Sequence, residues 1–68
     1  MQQSNDEVPD DLRAALRENP EALAAFDALS PSHRREYLRW ISEAVRPATR
    51  ARRIAQAVEM VLAKREAR

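Results

Sequence analysis

Residues 47–65 read PATRARRIAQAVEMVLAKR. Within them Ala51, Ile54, Ala55, Val58, Val61 and Leu62 recur at i, i+3, i+4, i+7, i+10 and i+11. A helix of 3.6 residues per turn gathers that set on one face; a strand scatters it over two. The stripe predicts a helix from Pro47 or Ala48 to about Arg65, with those six residues toward a core. Pro47 fits the start, because a first-turn residue needs no N–H partner. The same stretch carries an electrostatic conflict. Arg46, Arg50, Arg52 and Arg53 crowd its beginning. A helix start is partially positive and favours Asp and Glu. Turned at the helical angle, Arg46, Arg50 and Arg53 share one flank, which Ala57 and Lys64 continue. Arg52 falls on the opposite edge, near Gln56 and Glu59.

Working toward the N-terminus, three more proline-marked segments appear. Ser30-Pro31-Ser32 opens one: Ser30 is a capping residue and Pro31 takes the first helical position. Tyr37, Leu38, Ile41, Ala44 and Val45 form its apolar side, with Trp40 at the edge. This helix is expected to stop near Val45 or Arg46, since the residue before Pro47 avoids the helical region. Asn19-Pro20-Glu21 opens a two-turn helix with Leu23 and Phe26 inward and Leu29 just beyond. Val8-Pro9-Asp10-Asp11 opens the first, with Leu12, Ala15 and Leu16 as its apolar face. Asp10 and Asp11 read as first-turn acids complementing the dipole. Residues 1–7 are polar and without period, the pattern of a disordered tail.

The expected architecture is all-α. Residues 8–68 make one compact bundle of four helices, two short and two longer. Its predicted core is Leu12, Leu16, Leu23, Phe26, Leu29, Tyr37, Leu38, Ile41, Ile54, Val58, Val61 and Leu62. A chain of 68 residues holds one domain of marginal stability. It contains no cysteine and no glycine, which excludes disulfides, thiolate chemistry and the usual Gly-rich phosphate loops. His33 is the single histidine, in the first turn of a helix without a nucleophile beside it. No enzyme, metal or cofactor is expected. There is no secretory leader pattern and no apolar run of about 20 residues, so no membrane insertion and a cytoplasmic location are expected.

Charge is unevenly distributed. Residues 1–30 carry a net −5 and residues 31–68 a net +6. Either the acidic half folds onto the basic half, or the basic half meets an acidic partner. Arg46, Arg50 and Arg53 form the candidate ridge for a carboxylate, a phosphate or a protein partner. Nucleic acid is the lesser alternative, because a sequence pI of 8.4 is below the usual footprint. Arg34 falls on the apolar side of its helix, so its stem covers core and its head needs a partner, an acid from residues 10–27 being the expected one. Trp40 reads either as edge-of-core packing or as an aromatic anchor for a partner, including a second copy of the chain.

Several elements together resemble a known family. They are Val8-Pro9 with Leu12, Phe26 with Leu29-Ser30, Arg35-Glu36-Tyr37 with Trp40-Ile41 and Ala44, and Pro47, Thr49-Arg50 and Arg53-Ile54. From Val8 to Leu62 the chain resembles the C-terminal domain of the YdeI/OmdA (OmpD-associated, bacteriocin-protection) family. The resemblance implies a small helical bacterial domain, which follows a separate N-terminal domain in longer members. It implies a link to envelope stress, cationic-peptide resistance and a porin partner, with no enzymatic activity or cofactor. It adds Thr49 to the candidate ridge through the recurring Thr49-Arg50…Arg53-Ile54 pattern. The family commonly has a lysine at the position of Val45 and an acid at that of Ala48.

Overall fold

The computed structural model describes residues 8–66, with side chains to residue 65. The expected tail, residues 1–7, lies outside the described residues. Four helices follow in order: α1 (Asp10–Arg17), α2 (Pro20–Asp27), α3 (Pro31–Ser42) and α4 (Pro47–Glu66). Their starts follow the capping chemistry. The Asn19 side chain accepts a hydrogen bond from the Ala22 N–H at 3.3 Å, and the Ser30 hydroxyl accepts one from His33 N–H at 3.3 Å. Each removes one orphan donor from a helix start.

Twenty residues of α4 span about 30 Å. That matches the longest extent of a molecule measuring 32 × 32 × 18 Å. The other three helices all pack on α4, α2 most extensively. The core lies where they meet. Leu12 and Leu16 come from α1, Ala22, Ala25 and Phe26 from α2, Tyr37, Leu38 and Ile41 from α3, and Ile54, Ala57 and Val61 from α4. Phe26 and Tyr37 join α2 to α3, their rings tilted with centroids 6.4 Å apart.

Two features differ from the sequence reading. The first is the rotation of α4. Ala51 and Ala55 are exposed, and Ala57, 2% exposed, is buried in their place. The buried stripe is turned by about 70° toward the arginine flank. Arginine stems are apolar up to the guanidinium, and Arg50 and Arg53 are only half-exposed. Leu23, Leu29, Val58 and Leu62 line the core's edge, and four alanines take inner positions: Ala22, Ala25, Ala44 and Ala57. Small residues at helix contacts let backbones approach, which suits a domain 18 Å thick.

The second is the end of α3. It stops at Ser42, three residues before Val45, with Glu43 as its cap. The last turn tightens as Ala44 N–H bonds the Ile41 carbonyl at 3.1 Å. Ala44 turns inward and Val45 is left 91% exposed. The Arg46 carbonyl then accepts the first helical bond of α4, from Arg50 N–H at 2.9 Å. Residues 43–46 make the corner.

The rotated face of α4 has a direct test. Ala57→Leu is expected to destabilise the domain by about 1–3 kcal/mol through overpacking. Ala55→Leu, at a surface position, should change it by no more than about 0.5 kcal/mol. Urea unfolding of both variants checks the ranking, which reverses if the original stripe is the buried one.

Candidate functional site

The ridge of arginines is largely absorbed by the chain itself. Arg50 lies in the first turn of α4, and its Nε and Nη2 donate to Asp11 Oδ2 and Oδ1 at 2.6 and 3.1 Å. The pair joins α4 to the start of α1, with side chains 28% and 46% exposed. Arg50 holds the Asp11 carboxyl below its ordinary 3.8, desolvation opposes that, and the Leu12 N–H adds to it. The same contact raises the Arg50 guanidinium. A folded-state pKa below the unfolded one means stability present above the unfolded value and lost as pH falls through the folded value.

Arg53 is held from α3. Its Nη1 donates to the Trp40 carbonyl at 2.7 Å, and its guanidinium carbon stands 5.3 Å from the centroid of the Trp40 ring. Arg34 departs from its expected acid partner. Its Nη1 donates to main-chain carbonyls, of Leu29 at 2.7 Å and Asp27 at 3.2 Å. Both acceptors lie at the end of α2 and in the short connection to α3, where carbonyls lack helical N–H partners. Thr49 is half-buried and Arg46 exposed. Of the proposed ridge, Arg46 alone turns its head outward with no partner among the described residues.

What the molecule leaves open is a groove between α3 and α4. It is a shallow groove open to solvent, of about 660 Å³, lined by His33, Glu36, Tyr37, Trp40, Met60, Ala63 and Lys64. On α3 the groove-lining residues His33, Glu36, Tyr37 and Trp40 sit at i, i+3, i+4 and i+7, one side of the helix. Trp40 on Arg53 closes one end. The first turn of α3 and Lys64 form the other. Met60 is 45% exposed, one of two large apolar side chains exposed among the described residues. Burial pushes the Tyr37 phenol up. Among the described residues no helix is long and apolar enough to cross a membrane, and no group of His, Cys, Asp and Glu is arranged to hold a metal.

A sequence profile of the family described as "OmdA: Bacteriocin-protection, YdeI or OmpD-Associated" matches residues 6–64. The chain belongs to this family. No curated protein matches it significantly, and no solved structure does. In this OmdA domain the Thr49-Arg50…Arg53-Ile54 pattern has a structural account: Arg50 fastens α1, Arg53 fastens α3, and Ile54 fills the core between them. Val45 is exposed at the corner and has no packing role in this chain. Sequence reasoning named Trp40 but missed Met60, Ala63 and Lys64 as its neighbours. Their i, i+3, i+4 spacing places those three on one face of α4, but a single helical wheel does not show the second helix that faces them.

Arg53→Ala leaves the Trp40 carbonyl without its donor and is expected to cost about 1–3 kcal/mol; Arg46→Ala should stay within about 0.5 kcal/mol. Chemical denaturation of the two variants separates them. Asp11→Asn should flatten the fall of stability below about pH 4. An unchanged acid limb in a pH series of thermal melts would remove the Arg50 pair from the account.

Proposed function

We propose that this OmdA domain is a non-enzymatic protein-interaction module that receives its partner in the α3–α4 groove. One observation carries the reading. A small domain leaves Trp40 half-buried and Met60 exposed, side by side in a cavity of about 660 Å³. A concave apolar strip on the surface of a small domain is a candidate contact surface. Cavities of this volume with an apolar floor and few polar groups are the usual form of a binding site, and Trp is among the residues that most often anchor an interface.

The family description, bacteriocin protection and association with OmpD, is in keeping with a protein that works by contact. We extend the proposal to a role in envelope stress or cationic-peptide resistance, which the bacteriocin-protection description supports, with the groove as the contacting surface. Anion or nucleic-acid binding at the start of α4 has less support. Two of its three ridge guanidiniums meet Asp11 and the Trp40 carbonyl, which leaves few free charges for phosphate.

Placing a photo-crosslinking amino acid at position 60 tests the site inside cells. Discrete adducts are expected from position 60 and none from position 14, an exposed site on α1. The same adducts from both positions, or none from either, would refute the groove as the contact surface.

A further inference from the structure

We propose that Met60 is a site of reversible oxidation, where a peroxide converts the thioether to a sulfoxide and turns the apolar α3–α4 groove polar without unfolding the domain. The consequence for binding rests on the interaction reading above; the oxidation itself does not.

Placement comes first. The chain has two methionines and no cysteine, so Met60 is its one sulfur after Met1. The core cluster is built of aliphatic and aromatic side chains alone. The sulfur stands outside it, on a side chain 45% exposed in the groove. A small oxidant reaches such a side chain, because the reactivity of sulfur follows its exposure. The buried residues of α4, Ile54, Ala57 and Val61, offer an oxidant nothing to attack.

The step needs hydrogen peroxide as its only co-reactant. A lone pair of the Met60 sulfur attacks one peroxide oxygen, and the S–O bond forms as the O–O bond breaks. The departing hydroxide takes the proton left on the new sulfoxide oxygen and becomes water. Sulfur is oxidised and the peroxide reduced. Two thiols of a methionine sulfoxide reductase reverse the step, forming a disulfide and releasing the oxygen as water.

The product places a strong dipole in an apolar strip. Tyr37, Trp40 and Ala63 line the same groove. A partner seated on them would bury the sulfoxide oxygen, and an unpaired polar group is costly to bury. Lys64, at i+4 from Met60, lines the groove one turn on and offers that oxygen a donor, which favours the uncovered state. The fold itself loses little, since the side chain is no part of the core cluster.

The test treats the purified domain with hydrogen peroxide and follows Met60 by peptide mapping, which separates it from Met1. Met60 is expected to take up one oxygen at a rate within about tenfold of that in the urea-unfolded chain. Tm should fall by no more than about 4 °C, as for a surface change. Trp40 is the single tryptophan, and its emission should move to the red as the groove turns polar. Reductase and thiol should restore it, and Met60→Leu should show no response. In cells the photo-crosslinker moves to position 63, an exposed site in the groove that leaves Met60 in place. Peroxide is expected to cut the adducts about fivefold or more. Met60→Gln should do the same without oxidant, and Met60→Leu should keep the adducts under peroxide. A slower oxidation of Met60, a larger fall in Tm or an unmoved Trp40 emission overturns the site. Oxidised Met60 with undiminished adducts overturns its control of binding. Adducts missing from untreated cells as well refute the groove as the contact surface, while the response of the purified domain still decides whether Met60 is the oxidised site.

Discussion

Guanidinium groups close two helix ends of this domain, those of α2 and α3. A helix leaves its last carbonyls without N–H partners, and the common remedy is a left-handed residue, usually glycine, just past the end. This chain has no glycine, and no described residue takes a positive φ. The caps Glu18, Ala28 and Glu43 all stay right-handed. Orphan carbonyls must then find donors elsewhere, and arginine from the next helix supplies them. Arg34 of α3 serves the end of α2, and Arg53 of α4 serves the end of α3. Each contact satisfies a helix end and also fixes one helix against another. Arg65 ties helices without closing an end: it donates from the last turn of α4 to the Glu21 carbonyl in the first turn of α2 at 3.2 Å.

That use of arginine resolves the charge conflict at the start of α4. The helix dipole disfavours a cation there by a few tenths of a kcal/mol to about one. Asp11 supplies a countercharge to Arg50, and the ring and carbonyl of Trp40 receive Arg53. The acidic half does fold onto the basic half, but at one carboxylate and several main-chain carbonyls, not through a general pairing of charges. Carbonyl contacts neutralise nothing. Arg50 is offset by Asp11, while Arg34 and Arg53 keep their charge with their heads tied to main-chain carbonyls.

Helix number, type and starts were legible from proline and capping residues alone, because a proline at the first turn with Asn19 or Ser30 before it has one physical reading. Register was harder. The α4 wheel scored arginine as polar and alanine as neutral, so it centred the stripe on Ala51 and Ala55. Packing instead chose Ala57, flanked by the stems of Arg50 and Arg53, since three helices crowd one face and the smallest side chain lets them close. The end of α3 was misread for a related reason: Val45 continues the apolar period, but the chain needs residues 43–46 to turn before Pro47. The arginine ridge was visible as a ridge. What it touched was not, because Asp11 lies 39 positions away and a carbonyl acceptor leaves no mark in the sequence. The groove joins two helices and belongs to neither wheel.

The groove follows from the same economy of packing. α3 is fixed near its end by Arg53 and Trp40, and near its start by Arg34 and the Phe26–Tyr37 contact. Those fixings lie on its inner side, so nothing draws its outer edge down on the second half of α4. A domain of this size buries only about 60% of its chain's surface, and every large apolar group matters to its stability. Turning Met60 and Trp40 inward would add to that core. With them at the edge, the domain presents an apolar groove between α3 and α4. A partner that covered it would bury Trp40 and Met60 further, which makes partner binding and further stabilisation of the fold the same physical event.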